Sequence, residues 1–536
     1  MSAFVSKLSA KWTLVVTQLR ALSFIADREP ADFPFVPSDV AQMHRLCSDP
    51  DGASIDDATW KDLLLAEYCA QLSRETSIFG QHALYQRLRA GAGARGCVDP
   101  RARHRANIEE LMRDPVKLEQ LHLACKPLRH ADTEIATLLY EDAAPPVPWW
   151  PGFAWVLAVL LIASIAAVIW SPAAWLGTGV VLYILMAGQM RYYERVEKWQ
   201  RSMNTLQMLL RVEWALGGDN AALAGRINHG LSRPVKDRIV PGMAAYKDWF
   251  ALANVKHYYK GVALVRDNLE TLRECFTRVA KLEADVALAR HLLRIPTFCW
   301  AGRAGADTIA LQDTVHPLLP GAQPLTLNLK GQGAFISGQN GIGKSTLLRT
   351  VGINLVAARA FGFCYAKSAT VPDLPVYSSM QSEDSMFGGE SLYMAELRRA
   401  QELLAAADGP HAGICIIDEI FRGTNHLESV SAAASVLDVL AAEGLVIVSS
   451  HNLVLASLLA HRLEPLCVTP GVDGALSLSG GVLAHTNGIA LLAQRGFGPQ
   501  VEAGAGKVFD WLSAYLAQPA DCSQVLSSQE KAPCPG

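Results

Sequence analysis

The chain has 536 residues, a net charge of -3, 50% apolar residues and 18% charged ones. That length exceeds one ordinary domain, and the near-neutral charge excludes a chain-wide electrostatic draw towards nucleic acid. Its 11 cysteines include no C-x-x-C pair, which argues against a disulfide framework or zinc site and for reduced thiols in a cytosol-like compartment.

At the N-terminus, Lys7 and Lys11 precede the apolar Thr13-Leu14-Val15-Val16. Gln18 and Arg20 interrupt that run, so it reads as an amphipathic helix rather than a cleaved signal. Pro30 to Pro50 reads as a linker. Asp56 or Asp57 is placed to cap a helix. A second helix follows Thr76, with Leu84, Tyr85 and Leu88 on one face, and breaks at Ala90 to Ala94. Helical spacing returns from Asp99 to Tyr140. His82, His104, His122 and His130 stand singly on these helices, where packing or surface roles are expected. Residues 1–142 thus form a helical N-terminal region without a catalytic constellation.

From Ala143 to Met190 there is no Asp, Glu, Lys, Arg or His. Two apolar arms, Phe153 to Trp170 and Trp175 to Met186, flank the turn Ser171-Pro172-Ala173-Ala174. Each approaches the roughly 20 residues of a spanning helix. Trp149, Trp150, Trp155, Trp170, Trp175, Tyr192 and Tyr193 lie where aromatic belts form. Residues 143–190 are therefore expected to be a two-helix transmembrane hairpin in contact with membrane lipid; the alternative is a buried hairpin in a soluble core. Arg191, Arg195, Lys198 and Arg201 follow at once, which puts that flank on the cytoplasmic side.

Residues 191–302 read as a long helical core or lever segment. Arg191 to Ile295 holds 18 Lys+Arg and 11 Asp+Glu, an excess of 18 − 11 = 7. Such a surface fits either phosphates of nucleic acid or anionic lipid. Asn254 to Arg294 reads as one amphipathic stripe.

The stretch Gly338-Gln339-Asn340-Gly341-Ile342-Gly343-Lys344-Ser345-Thr346 fits the phosphate-binding P-loop. An apolar strand, Gly333 to Ser337, precedes it and a helix follows. The loop's N–H groups and the helix dipole suit phosphate oxygens. Lys344 is expected at the β- and γ-phosphates, and Ser345 on Mg²⁺. Further on, Gly413-Ile414-Cys415-Ile416-Ile417-Asp418-Glu419 is an apolar strand ending in two carboxylates. Asp418 is the expected second Mg²⁺ ligand, and Glu419 the residue orienting the attacking water. Leu445 to Val448 is another strand, and it ends in Ser449-Ser450-His451. His451 stands where a γ-phosphate sensor would, at the C-terminal edge of an α/β sheet.

With His316-Pro317 ahead of the sheet, these motifs resemble the ATPase domain of the MutS mismatch-repair family over about residues 303–516. The loop resembles Gly-Pro-Asn-Met-Gly-Gly-Lys-Ser-Thr, with Gln339, Gly341 and Ile342 changed. Ser382 to Glu396 resembles the segment ending Ser-Thr-Phe-Met-x-Glu, with Leu392 and Tyr393 replacing Thr and Phe. Asp418 to Thr424 resembles Asp-Glu-Ile-Gly-Arg-Gly-Thr, with Phe421 departing. Ser450-His451 resembles Thr-His, and Asn487-Gly488-Ile489 the closing Tyr-Gly-Ile region. The resemblance implies a homodimer that binds ATP and Mg²⁺ through Gly338, Asn340, Gly341, Gly343, Lys344, Ser345 and Thr346. Ser391 of one copy would complete the partner's site. It also implies a clamp on DNA. The family's Phe-x-Glu mismatch wedge is missing, since none of the 16 phenylalanines has Glu two residues on. The chain looks like a membrane-embedded MutS-related protein of bacteria, placed in the inner membrane with its ATPase domain in the cytoplasm. The alternative is a mechanochemical ATPase acting on a membrane or protein partner without DNA. An ABC-type reading fails because Leu478-Ser479-Gly480-Gly481-Val482 lies after His451. Residues 517–536 read as a disordered tail. The expected fold is thus α plus α/β, a helical N-terminal region, hairpin and lever followed by a C-terminal P-loop domain.

Overall fold

The computed structural model describes residues 35–48, 52–91, 100–141, 146–233, 243–380, 392–409, 413–471, 476–484, 487 and 499–516. The expected N-terminal amphipathic helix, the loop carrying Ser391 and the tail after 516 lie outside these. The chain divides into two compact units, one of residues 1–47, 75–83 and 116–286, the other of 48–74, 84–115 and 287–536.

The first unit is helical. Its main elements are Trp155–Ala167, the 42-residue Ala174–Ala215, Ala221–Leu231, Met243–Ala251, Ala253–Asp267 and Leu269–Arg294, the last counted here to Val286. Leu161, Leu185, Leu252, Val255 and Val262 form one of its cores, with Trp150, Tyr192 and Trp199 packed against them. The stretch Pro37 to Cys47, read as linker, instead forms two short helices, Pro37–Val40 and Gln42–Cys47. The proline that suggested a linker sits at the first helical position, where its missing N–H costs nothing. The 254–294 stripe is also divided. It breaks at Asn268, whose side-chain amide donates to the Leu264 carbonyl oxygen at 2.8 Å, a local bond that competes with the helix ladder.

The expected two-helix transmembrane hairpin is not shown. Among the described residues one helix, Trp150–Ala167, is long and apolar enough to cross a membrane, with mean hydropathy 2.0 and only 17% of it buried. The second arm is the start of the 42-residue helix Ala174–Ala215. Gly177, Thr178, Gly179, Tyr183 and Gln189 dilute its apolar character. Thr178 Oγ1 donates to Ser164 Oγ across the pair at 3.1 Å.

The second unit is built on a six-stranded sheet of β5 (Gly333–Gly338), β8 (Val376–Ser379), β9 (Ile414–Asp418), β10 (Leu445–Ser449), β11 (Leu463–Pro470) and β12 (Leu476–Gly480). The order is β12-β11-β5-β10-β9-β8, all parallel except β12. β5, β9 and β10 are buried throughout, as continuous apolar runs are when helices cover both faces. A smaller sheet joins β2 (Gly302–Arg303), β3 (Thr308–Thr314), β4 (Leu325–Lys330) and β7 (Ser368–Val371), and β1 (Cys299–Trp300) pairs with β6 (Phe363–Cys364).

Residues 52–74 belong with this sheet. Asp56 caps the helix Asp57–Asp62 by accepting from Thr59 N at 2.7 Å, as the sequence predicts. That helix lies on the edge strand β8, where Ser378 N donates to Thr59 Oγ1 at 2.8 Å. An edge strand with open N–H groups invites foreign pairing, and here the N-terminal helix covers it.

Candidate nucleotide-binding site

Three neighbouring strands deliver the predicted residues to one end of the sheet. β5 runs into the loop 339–343, β9 ends at Asp418 and β10 ends at Ser449, with Ser449 in register with both Ile336 and Asp418. In an open parallel sheet, this C-terminal edge is where ligands bind.

The loop turns back through Gly341 (φ 77°) and Gly343 (φ 103°), left-handed conformations that glycine adopts without strain. The helix Lys344–Phe361 then starts at Lys344, directly after the loop. Ser345 and Thr346 therefore occupy its first turn, where N–H groups lack intrahelical partners. Gly338 is buried, whereas Asn340 and Gly341 are exposed. The Lys344 side chain is buried and folds over the loop, donating to the carbonyl oxygens of Gly338 (3.0 Å) and Gln339 (3.3 Å). Burial lowers the pKa of this ammonium, while the carboxylates of Glu419 and Asp418 act to raise it.

Asp418 is buried and accepts a short hydrogen bond from Ser449 Oγ. Glu419 has a left-handed backbone (φ 54°) and its N–H donates to the Ser449 carbonyl oxygen at 2.9 Å. This conformation is costly for a non-glycine residue and is held by its surroundings. The side chain receives His451 Nε2 at 2.7 Å and Arg422 Nη1 at 3.1 Å. The hydrogen bond from His451 holds the Glu419 carboxyl below the ordinary range, with the charges of His451, Arg422 and Lys344 adding to it against the cost of burial. Glu419 is thus an ionised acceptor at neutral pH. The structure brings Lys344, Asp418, Glu419 and His451 to one edge; Ser391 is outside the described residues.

Five further residues belong to this site. Glu396, on the helix Leu392–Ala407, accepts from the backbone N–H groups of Arg422 and Gly423, both at 3.2 Å. Gly423 is required there, because a Cβ would stand 2.7 Å from the Tyr393 nitrogen. Arg422 and Ser449 hold the two carboxylates. Asn487 clasps the loop, accepting from Asn340 N at 2.9 Å and donating to its carbonyl oxygen at 3.3 Å. Asn487 and Asn340 are 147 residues apart, and no local periodicity announces such a pair.

The donor set fits a magnesium nucleotide. A Ser345 hydroxyl at a helix start and a buried Asp418 carboxylate are hard oxygen ligands, and Mg²⁺ takes few protein ligands beside phosphate and water. No group of three or more His, Cys, Asp or Glu able to hold a metal by themselves occurs among the described residues.

Residues 334–468, from β5 to β11, match one known domain. It is MutS domain V. The MutS-like stretch is also similar to curated mismatch-repair proteins. It is 26% identical over 242 residues to the DNA mismatch repair protein MutS of Thermus aquaticus, covering 44% of this chain and 29% of that protein. It is 29% identical over 202 residues to the DNA mismatch repair protein msh3 of Emericella nidulans, covering 36% and 18%. The DNA mismatch repair protein MutS of Thermus thermophilus gives 26% over 250 residues, covering 45% and 29%. The chain thus spans less than a third of the length of these relatives. The matches support the MutS family, and they do not reach its membrane-embedded branch.

Proposed function

We propose that this chain is a membrane-anchored MutS-like ATPase. In this reading a dimeric composite site binds and hydrolyses ATP and couples that cycle to clamp-like DNA binding. The arrangement of Lys344, Asp418, Glu419 and His451 on one sheet edge carries the reading.

The loop N–H groups and Lys344 would bind the phosphates. Lys344 would leave the carbonyls of Gly338 and Gln339 to do so. Ser345 and Asp418 would hold Mg²⁺, which supplies charge neutralisation on the phosphate oxygens when bound. Glu419, kept ionised by His451 and Arg422, orients the attacking water. Ser391 of a second copy would close the site, which makes the active species a homodimer.

The membrane part of the proposal rests on Trp150–Ala167, apolar yet only 17% buried; a core helix of a soluble protein would be mostly covered. With the start of Ala174–Ala215 beside it, this pair would anchor the protein. Arg191, Arg195, Lys198 and Arg201 would then put the ATPase unit on the cytoplasmic side of a bacterial inner membrane.

DNA binding is supported by the relatives' mismatch-repair names and by the basic excess of 191–295. The missing Phe-x-Glu wedge favours a second reading, an ATPase that works on a membrane or protein partner without DNA. Binding of the detergent-solubilised full chain to matched and mismatched duplexes, with and without ATP, separates the two. The first predicts binding at low salt that weakens steeply as salt rises. No binding at low salt removes DNA and leaves the second.

A further inference from the structure

The helix Met243–Ala251 packs against both Trp155–Ala167 and Ala174–Ala215. Its level on that pair is fixed by two contacts. The Gln189 side-chain amide donates to the Asp248 carbonyl oxygen. Leu252, just past the helix, lies so close to Gly188 that a Cβ there would stand 3.3 Å from it. Gly188 and Gln189 belong to the last turn of the charge-free stretch, which ends at Met190 and is followed by Arg191. The helix therefore sits where apolar chain gives way to basic chain.

Its acid is covered while its aromatic rings and Lys247 face outwards, a basic and aromatic outer face. Asp248 points inwards and pairs with Arg233 Nη1 at 2.9 Å, both side chains being largely covered. Outwards stand Tyr246, Trp249 and Phe250, which are 66%, 55% and 41% exposed. Their i, i+3, i+4 spacing makes one continuous stripe, and the rings of Tyr246 and Phe250 stack with centroids 6.2 Å apart. Trp149, Trp155, Met190 and Tyr193, also exposed, flank the same end of the helix pair. A helix that hides its acid and shows three aromatic rings is built for an outer medium other than water. Tyr and Trp, with apolar rings and one polar atom each, favour the boundary between headgroups and acyl chains.

We infer that Met243–Ala251 is an interfacial helix whose Tyr246, Trp249 and Phe250 lie in the headgroup–acyl boundary of a bilayer, beside the apolar helix pair. The inference rests on the membrane reading above and adds to it a third contact element, lying along the surface rather than crossing it. The occupant of this face is lipid because the helix packs against Trp155–Ala167 and Ala174–Ala215, whose Trp155, Val159, Ile162 and Met186 are themselves uncovered apolar side chains.

The test uses the full chain reconstituted in phosphatidylcholine–phosphatidylglycerol vesicles. A nitroxide is attached through Trp249→Cys, and its access to lipid-soluble oxygen and to a water-soluble nickel chelate is measured, with the labelled background of the unsubstituted chain subtracted. Ile162→Cys, on the apolar helix, and Trp214→Cys, exposed near the far end of Ala174–Ala215, serve as references. The label at 249 is expected to lose nickel access relative to 214 and to gain oxygen access intermediate between 214 and 162. A label at 249 that reads aqueous while 162 reads deep overturns the interfacial helix and leaves the membrane reading standing. Aqueous readings at all three positions overturn both. Nickel protection without oxygen gain, with spin–spin broadening between labels at 249, gives the face to a second copy of the chain and also overturns the inference. If Trp249→Cys fails to fold, Tyr246→Cys on the same face takes its place.

Discussion

The Asp62 carboxylate accepts from Ser378 Oγ at 2.8 Å and from Met380 N at 2.9 Å, tying an N-terminal helix to the edge strand β8 of the MutS-like sheet. The Asp62 carbonyl oxygen receives Arg349 Nε from the P-loop helix at 2.9 Å. Six residues earlier in the chain, Asp56 receives Arg399 at 3.1 Å. Burial nevertheless raises the Asp62 carboxyl, against the pull of these hydrogen bonds. Asp62→Ala leaves the Ser378 hydroxyl and Met380 N–H without their acceptor. Each such orphaned donor costs roughly 1–3 kcal/mol, so urea unfolding should show a loss of about 3 kcal/mol in total. Asp62→Asn, which keeps one acceptor oxygen, should lose less. Equal stability of all three chains would show that the tie contributes nothing.

Phe421 stands where the resembling motif has glycine. Its backbone is left-handed (φ 59°), and its ring is buried against Tyr393, with centroids 6.1 Å apart. Both residues depart from the family pattern, and they depart together, into contact. Phe421→Gly would remove strain on the order of 1 kcal/mol but delete a buried ring worth about 3–5 kcal/mol. The expected outcome is a net loss near ~2–4 kcal/mol, read from thermal or urea unfolding. A gain in stability would mean that strain outweighs packing at this site.

The buried His82 and His316 and the part-buried His291 set an acid limit. Burial lowers His82, His291 and His316 from 6.5 to about 4. Their imidazoles therefore stay neutral in the fold. The unfolded chain binds protons that the folded chain refuses between pH 6.5 and about 4. Stability conferred by these neutral rings is complete above 6.5 and is lost as pH falls towards 4. Unfolding near pH 5 should take up roughly one proton per histidine, measurable as the slope of unfolding free energy against pH. Replacing the three with Gln should flatten that slope; an unchanged slope would place the acid sensitivity elsewhere.

The parts of the site that could be read in advance are those in which chemistry and local structure coincide. Gly338 to Thr346, Asp418-Glu419 and Ser450-His451 each follow a short apolar strand, so one stretch of sequence supplies both residue and position. Contacts made by polar side chains across long separations left no such trace. Glu396 reaches Arg422 over 26 residues, and Ser378 reaches Thr59 over 319. Neither pair alters a hydrophobic period. The second apolar arm is free of charge, but Gln189 and the glycines around Thr178 lower its hydropathy, so freedom from charge and apolar character diverge there. The 254–294 stripe hid its break because Asn268 interrupts the backbone without disturbing the apolar spacing on either side.

In the proposed mechanism Glu419 is the carboxylate that prepares water for attack on a nucleotide held by Lys344. Steady-state ATP hydrolysis by the full chain and by Glu419→Gln, with nucleotide binding measured on the same samples, tests it most directly. Glu419→Gln is expected to bind ATP still while turnover falls by roughly a hundredfold or more, and Lys344→Ala to lose binding. Turnover at the wild-type rate in both variants would contradict it.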